Sequence, residues 1–567
     1  MGRGQRQPTT SQPTTSNSTE TADDVIALRI VEYTRSQYES ILARLVRWLH
    51  NEHPQYVTAQ RIVVPVTPAL CKLMFSYASV KRSLNGYELV PRKYNSVSTI
   101  NRVKSAVVFL HREAKVELST ELNAMMKEYV SGYRRKFAQL KESGEAPITE
   151  GKAALSFGGY VFVTGYKYLA SVAVAAESDY SLYVTVHSFL LLCWNLMARA
   201  VSTSSIRYEH ITWKDDALEI RYGLMKNDQE GRMSYPRHIY ANPSNPAICP
   251  ILSLAVLLFT RGAQLHESPT LLFGYNAKER FSSWLTKTCA ANEDDIAGLG
   301  LSISDIGTHS FRKGVASALS NSPGGPQAVL VWLRAGWSLG GVQGRYIFEG
   351  SGGDQFVGRA ATGLNVNDVE FGSLPPHFGP TMALSPSQWE SILPGYSSFY
   401  PSTFRSAIPY LLASLVHHQA WLKRNLHHSH PLFLSPVWLS GSLALLASEV
   451  LGGTLHNPVS KLTATGIPPH IPLYNQLRAL ESNMGALTNR VDEGFNAIPH
   501  QLRIAMDATI SSTASVTMDQ LQSTLAQFEE RLLQNMVQRN PLGTTLTDGI
   551  TLPLLSTTVN TAITSTN

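Results

Sequence analysis

The 567-residue sequence has room for several domains, and its 43% hydrophobic and 16% charged residues are typical of a folded globular chain and not of a disordered one. Its four cysteines are far apart, which argues against a disulfide framework or a zinc site and favours a reducing compartment. The net charge of +6 is uneven, because residues 1–350 hold 38 Lys+Arg against 29 Asp+Glu, whereas residues 351–567 hold 10 against 13. We therefore expect any polyanion to bind the first two thirds of the chain.

The N-terminal third begins with a tail and continues as helices. Residues 1–24 form a low-complexity Ser/Thr/Gln/Pro segment that is predicted to be disordered, without the apolar core of a secretory signal. Residues 25–147 carry apolar side chains at helical spacing, which predicts a helical domain. Basic residues are interleaved along it, and a solvated helical face and a surface laid against DNA backbone are equally open interpretations. These basic residues are Arg82, Arg92, Lys93, Arg102, Lys104, Arg134, Arg135 and Lys136.

The middle of the chain changes from helical to β periodicity and back. A polar linker at residues 141–150 precedes helices that end in a strongly apolar stretch at residues 183–197. Three short stretches rich in β-branched and aromatic residues then predict a small antiparallel sheet, and helices resume from about residue 250 to 348. The strands are predicted at residues 208–213, 217–224 and 233–240. The chain is thus predicted to be mainly α with a small three-stranded antiparallel sheet.

Two uncharged stretches, residues 181–198 and 431–448, raise the question of a membrane span. Each is at the short limit for crossing a bilayer, and polar residues or a proline interrupt both. We therefore predict buried core helices and no membrane partner.

The C-terminal third is predicted to be helical and to favour self-association. Residues 379–470 are interpreted as an accessory region; its clustered histidines lack a cysteine or carboxylate at ligand spacing, so a histidine-rich helix end is favoured over a metal site, and no cofactor is predicted. Residues 471–540 repeat apolar side chains at heptad spacing in two segments, separated by Pro499 and a Ser/Thr-rich gap. This pattern predicts two short coiled-coil helices, although packing onto the protein's own body is equally open. Residues 541–567 are predicted to be a disordered tail. The histidines are His417, His418, His427, His428 and His430, and the heptad positions are Leu473, Leu477, Leu480, Met484, Leu487 and Val491, then Leu521, Leu525, Phe528, Leu532 and Met536.

The most informative motif lies between residues 303 and 348. Gly307 and Thr308 are typical of a helix entry, and His309 and Arg312 stand at i and i+3, on one face of its first turn. A helix N-terminus favours an anion, and an arginine with an imidazole donor completes a phosphate site. A second HxxR at residues 500–503 shows that this pattern alone is weak. Only the first copy is followed by a tryptophan, Trp337, and nine residues later by a tyrosine, Tyr346.

In this order the residues resemble the catalytic set of the tyrosine recombinase family. Arg199 ends an apolar helix just before the sheet, and Lys226 lies in the turn between the second and third strands, as in the family. The amino-acid sequence around these positions is most similar to that of recombinases of Crypton-type eukaryotic mobile elements, over roughly residues 25–380. The run at residues 201–205 departs from many relatives, which place an acidic residue there, so another group must orient Arg199. The catalytic set implied by the resemblance is Arg199, Lys226, His309, Arg312, Trp337 and Tyr346.

The resemblance implies a DNA core-binding domain over residues 25–147 and a recombinase catalytic domain over residues 148–378. It implies a site-specific recombinase or integrase of a mobile element, which acts on double-stranded DNA in the nucleus as a homo-oligomer with four subunits on two duplexes. Tyr346 would attack the scissile phosphate and form a 3′-phosphotyrosine, without metal or nucleotide.

Three alternatives stay open at this point. One is a DNA-binding protein that keeps the recombinase fold without catalysis. Another is a type IB topoisomerase-like enzyme, which uses the same chemistry. The third is a non-enzymatic scaffold built on the C-terminal helices.

Overall fold

A computed structural model describes residues 21–83, 85–148, 151–166, 180–222, 235–261, 268, 270–337, 351–380, 382–452, 460, 462–510 and 517–538. This part of the chain is mainly helical, with one three-stranded antiparallel sheet and two short two-stranded ribbons, which confirms the predicted fold class. Contacts divide the chain into two compact units. The first unit comprises residues 1–154 and 285–310, and the second comprises residues 155–284 and 311–567.

The helices and strands of the described chain are given in chain order. The helices are α1 (Ala22–Ala27), α2 (Glu32–Glu52), α3 (Pro68–Ser79), α4 (Val97–Glu113), α5 (Thr120–Glu142), α6 (Phe157–Val161), α7 (Tyr180–Asn195), α8 (Ala200–Ser204), α9 (Pro250–Arg261), α10 (Ala277–Ala290), α11 (Glu293–Gly298), α12 (Thr308–Ser320), α13 (Ala328–Ala335), α14 (Ser351–Ala361), α15 (Pro386–Ile392), α16 (Ser402–Arg405), α17 (Ile408–His417), α18 (Gln419–Asn425), α19 (Pro436–Leu439), α20 (Ser442–Leu446), α21 (His470–Ile510) and α22 (Met518–Gln538). The strands are β1 (Val57–Thr58), β2 (Arg61–Ile62), β3 (Ile211–Lys214), β4 (Ala217–Ile220), β5 (Arg237–Ile239), β6 (His377–Phe378) and β7 (Val450–Leu451).

The core of the first unit is built from the long helices predicted for its N-terminal part. Apolar side chains from α2 to α5 share one buried cluster, which includes Leu49, Phe75, Val107 and Met126. Hydroxyl groups begin three of these helices, because a side-chain oxygen before α3, α4 and α5 accepts an N–H of the first turn. The ribbon β1–β2 was not predicted, since two residues per strand are too few to establish a period of two.

The second unit contains the predicted sheet, in the order β3-β4-β5 with both pairs antiparallel. Trp213 pairs with Leu218, and Leu218 pairs in turn with Ile239. The turn between β3 and β4 contains Asp215 in a left-handed conformation, which aspartate tolerates better than most residues. The predicted first strand was too early, because Tyr208 lies in a 3₁₀ turn that precedes β3. The predicted second turn, at residues 227–231, lies outside the described residues.

Helix α14 packs directly on β5, and Gly358 makes this approach possible. A Cβ at Gly358 would overlap the carbonyl oxygen of His238, a backbone atom that cannot move independently. We therefore expect Gly358→Ala to lower the free energy of unfolding by about 1–3 kcal/mol. Gly352 lies in the same helix with no atom near its missing Cβ, so Gly352→Ala should be neutral or slightly stabilising. Urea denaturation of the two variants measures the difference, and equal stabilities would contradict the packing described for α14.

The C-terminal region up to residue 452 packs into the second unit. Trp213 stacks on Tyr410 with ring centroids 3.8 Å apart, and Tyr208 meets the edge of Phe404 at 4.9 Å. Helix α9 packs against both α7 and α17. The domain boundary predicted at residue 378 therefore does not coincide with a division between compact units, because aromatic side chains beyond it contact the sheet.

Two buried histidines in this region predict that stability depends on pH. His418 and His430 are 4% and 0% exposed, and burial lowers the pKa of His418 from 6.5 to about 3 and that of His430 to about 4. Both rings are neutral in the folded protein, whereas the unfolded chain binds protons below about pH 6.5. Stability is therefore complete above this pH and falls as the pH drops towards 4, by up to about 1.4 kcal/mol per pH unit for each ring.

Denaturation between pH 7.5 and 5 tests this expectation. His418→Gln should reduce the slope of stability against pH, since one proton-binding group of the unfolded chain is lost. His428 is exposed, and His428→Gln should leave the slope unchanged. An unchanged slope in the His418 variant would contradict the expectation.

Two helices lie where coiled-coil helices were predicted, but the end of the first was predicted too early. Helix α21 continues through Pro499 to Ile510, because a proline removes one backbone hydrogen bond and can bend a helix without ending it. The heptad side chains are not packed onto the described part of the protein: Leu477, Leu480 and Leu487 are 65%, 60% and 56% exposed.

No helix in the described ranges is both long and apolar enough to cross a membrane. Of the two uncharged stretches, the first is mostly α7. The second is divided among a 3₁₀ turn, α19, α20 and a further turn.

Candidate anion-binding site

Arg199 is positioned by a tight turn between α7 and α8. Met197 adopts a left-handed conformation (φ 50°), and the N–H groups of Met197 and Ala198 donate to the carbonyls of Trp194 and Cys193 at 3.0 and 3.1 Å. This is a Schellman arrangement with a methionine at the position that usually holds glycine. The strained residue ends α7 and places Arg199 at the N-cap of α8, where burial lowers the pKa of its guanidinium.

Arg312 approaches from α12, which begins at Thr308 as predicted. Its side chain is buried, and one guanidinium nitrogen donates a hydrogen bond to the carbonyl oxygen of Ala335, the last residue of α13. The guanidinium carbon lies 5.7 Å from the centroid of the Trp337 ring. Arg312 therefore contacts both the C-terminal end of α13 and the ring of Trp337, which follows that helix.

Trp337 owes its position to the way in which α13 ends. Gly336 is left-handed, with a φ of 64°, and its N–H donates to the carbonyl of Leu333 at 2.9 Å. The N–H of Trp337 donates to the carbonyl of Trp332 at 3.0 Å, which completes a second Schellman arrangement. Any residue other than glycine would be strained at this φ, so Gly336 allows the turn that determines the position of the Trp337 backbone.

Arg312 differs from the buried arginines around it because it has no carboxylate partner among the described residues. Arg334 lies 2.6 Å from Asp354, and Arg359 forms an ion pair with Asp216. Burial, together with the positive charge of Arg199, lowers the pKa of Arg312 to about 10. The two guanidiniums therefore repel each other in a partly buried site, and no carboxylate of the described residues pairs with either. A bound anion would relieve both the desolvation and the repulsion.

The sequence indicated that some group other than an acidic residue must orient Arg199. Within the described ranges the guanidinium of Arg199 has no hydrogen bond or ion pair. Its backbone is fixed instead, since the carbonyl of Arg199 accepts the N–H of Thr203 at 3.0 Å. The side chain thus remains available to a ligand.

Of the six predicted catalytic residues, the structure brings Arg199, Arg312 and Trp337 together within the second unit. His309 lies one helical turn before Arg312 on α12, and its side chain is exposed. Lys226 and Tyr346 lie outside the described residues.

The predicted DNA-contacting residues form one cluster and several separate positions in the first unit. The carboxylate of Glu88 forms ion pairs with Arg82 at 2.9 Å and with Arg92 at 3.3 Å, so it partly neutralises both cations. Arg92 and Lys136 lie over the same ring, that of Tyr94, at 5.9 and 4.9 Å from its centroid. This aromatic ring therefore brings a residue of α5 together with the segment that precedes α4.

The remaining basic residues are placed by their helices. Arg134 and Arg135 are exposed on α5, and Arg102 is exposed on α4, while Lys104 is half-buried. Lys93 is exposed, and its backbone carbonyl accepts the N–H of Lys81 at 2.7 Å. Among the described residues, no contact links these side chains to the Tyr94 cluster.

One residue of the site was missed by the sequence analysis. Tyr222 lies just after β4, and its phenol group interacts electrostatically with the guanidinium of Arg312. A lone tyrosine after a strand carries no motif, and only the packing shows that it lies near the arginines.

Comparison with known proteins does not assign this geometry to a family. No protein-family model matches the chain, and no curated protein matches it either. The interpretation of the site therefore depends on the residues themselves and on the packing of Arg199, Arg312 and Trp337.

Proposed function

We propose that this protein is a tyrosine recombinase that cuts and rejoins double-stranded DNA through a 3′-phosphotyrosine. The observation that carries the proposal is the pair Arg199 and Arg312, whose positive charges repel each other and neither of which has a carboxylate partner in the described chain. A phosphodiester presents two non-bridging oxygens, which arginine recognises better than lysine because of its planar fork of donors. The ring of Trp337 beside Arg312 supports the same assignment.

In the proposed reaction the phenol oxygen of Tyr346 attacks phosphorus, and the bond from phosphorus to the 5′-oxygen breaks. Arg199 and Arg312 stabilise the charge that develops on the non-bridging oxygens. His309 accepts the phenol proton, and Lys226 gives a proton to the departing 5′-oxygen. Rejoining reverses these steps with a 5′-hydroxyl as the nucleophile. The phosphotyrosine keeps the energy of the broken bond, so no nucleotide is consumed.

The basic residues of the first unit would bind the DNA backbone. Their charges provide affinity without sequence specificity, and the affinity should fall steeply with salt. Nuclear localisation and a role in a mobile element belong to the same proposal.

Self-association through α21 is a further part of this proposal. Leu473, Leu477, Leu480, Met484 and Leu487 follow a spacing of 4-3-4-3, which places them along one stripe of the helix. They are 56–65% exposed, so the stripe is not used inside the described chain. A second copy of the same helix presents the same spacing, and pairing of the two would bury both stripes. Coupled active sites in a recombinase require such an assembly.

We expect Leu480→Glu to weaken self-association by at least tenfold, because a charge would be buried at the centre of the stripe. Asn489→Glu introduces the same charge on the opposite side of the helix and should have no effect. Mass photometry across a concentration series measures both. Equal dimerisation of the two variants would show that α21 is not the contact.

Covalent trapping tests the enzymatic proposal. Wild-type protein is incubated with nicked DNA from the ends of the element that encodes it, and the products are separated under denaturing conditions. Wild type should form a protein–DNA adduct, whereas Tyr346→Phe should form none and still bind DNA. Binding without an adduct from either protein would favour the non-catalytic alternative. Relaxation of supercoils by monomers without strand exchange would favour a topoisomerase, and no salt-dependent DNA affinity would favour a scaffold.

A further inference from the structure

The hydroxyl of Tyr222 forms no hydrogen bond within the described part of the protein. The residue follows β4 and is 6% exposed, and its hydroxyl oxygen is buried without a hydrogen-bond partner among the described residues. Leaving such a group unmatched is unfavourable, since a buried hydroxyl loses its bonds to water. A phenylalanine would fill the same space without this cost. We therefore expect the hydroxyl to form a hydrogen bond with a bound ligand.

The charges around Tyr222 indicate what that partner is. Three arginines, Arg237, Arg334 and Arg312, act on its hydroxyl. The first two face Asp354, at 3.7 and 2.6 Å, which compensates their charge. Arg312 has no such partner within the described ranges. Of these three arginines, Arg312 is therefore the one whose charge is left for an anion.

The phenol is suited to donate a hydrogen bond. Burial raises the pKa of Tyr222, and the arginines offset this only partly, so the hydroxyl keeps its proton at neutral pH. A neutral O–H next to an uncompensated guanidinium matches a phosphate group, which accepts hydrogen bonds at several oxygens.

We propose that the Tyr222 hydroxyl donates a hydrogen bond to a non-bridging oxygen of the phosphate held by Arg312. This inference rests on the proposed function, because the same anion occupies both groups. It adds a substrate-binding residue that belongs to neither the predicted catalytic set nor the predicted DNA-contacting residues.

Calorimetric titration with inorganic phosphate tests the inference without DNA or turnover. Tyr222→Phe should bind phosphate about tenfold more weakly than wild type, equivalent to about 1.4 kcal/mol. Tyr160→Phe is the matched control, since Tyr160 is also buried, stacks on Trp194 at 4.0 Å and has none of these arginines acting on it. This variant should bind phosphate as wild type does.

The possible outcomes separate the two proposals. Equal phosphate affinity in wild type and Tyr222→Phe, with loss in Arg312→Gln, would overturn the role of Tyr222 and leave the anion site intact. No phosphate binding by wild type would overturn the anion site itself. A melting temperature of Tyr222→Phe well below that of Tyr160→Phe would assign the hydroxyl to folding and also overturn the inference.

Discussion

Arg312→Lys is expected to reduce the rate of DNA adduct formation by about 10²–10³-fold, the usual effect of removing one transition-state donor. The variant keeps a positive charge but loses the planar fork that can hold both the carbonyl of Ala335 and a phosphate oxygen. Because the side chain is buried, a lysine cannot replace the lost phosphate contact by a water-mediated hydrogen bond. Quench-flow or timed gel assays of the trapped adduct measure the rate.

A matched substitution separates this effect from a general loss of charge. Arg207 is exposed in the same unit and lies 3.4 Å from Glu209, so Arg207→Lys should leave the rate unchanged. Thermal unfolding of both variants checks that the fold is retained. A folded Arg312→Lys protein with an unchanged rate would show that this guanidinium does not bind the reacting phosphate.

Asp216→Asn is expected to cost about 3–5 kcal/mol of stability, the largest effect on folding that we predict. Asp216 pairs with Arg359, and neither side chain is exposed. Asp216 also accepts the N–H and the hydroxyl of Thr465, at 3.2 and 2.6 Å. Arg359 in turn donates to the carbonyls of Phe371 and Ser373, each at 3.0 Å. Removing the negative charge leaves the guanidinium of Arg359 buried and uncompensated.

The chain offers both a control and a second variant for this prediction. Asp215 is exposed in the same turn, so Asp215→Asn should change stability by less than about 0.5 kcal/mol. Burial raises the pKa of Asp216 and lowers the pKa of Arg359, which shows that pairing does not fully offset desolvation. Replacing both residues by apolar ones should therefore be less damaging than removing Asp216 alone. Chemical denaturation gives all three values, and equal stabilities of Asp215→Asn and Asp216→Asn would refute the role of the pair.

This ion pair also shows what sequence alone could not reveal. Asp216 lies in the turn between β3 and β4, but its partner Arg359 lies 143 positions away, and Thr465 lies 249 positions away. Neither distance leaves a local pattern. The same holds for the boundary predicted at residue 378, because the stacking of Trp213 on Tyr410 depends on a fold that brings together residues far apart in sequence.

The parts of the site that sequence did predict are those set by local rules. The entry of α12 at Thr308 follows from the residues around it. Arg199 was predicted to end an apolar helix, but α7 ends at Asn195 and Arg199 lies beyond a turn, at the N-cap of α8. The contact between Arg312 and Trp337 depends on the left-handed Gly336, whose role in the sequence is visible only as a possible helix end. Pro499 shows the opposite error, since a strong local signal was overridden by the helix on both sides.

We propose that the guanidiniums of Arg199 and Arg312 hold a DNA phosphate for attack by Tyr346. Mass spectrometry of the trapped adduct after nuclease and protease digestion tests it most directly. We expect a nucleotide 3′-phosphate attached to the peptide that contains Tyr346, with yield lost in Arg199→Ala and Arg312→Lys. A nucleotide attached to a different residue, or an adduct that forms equally well without these arginines, would contradict the account.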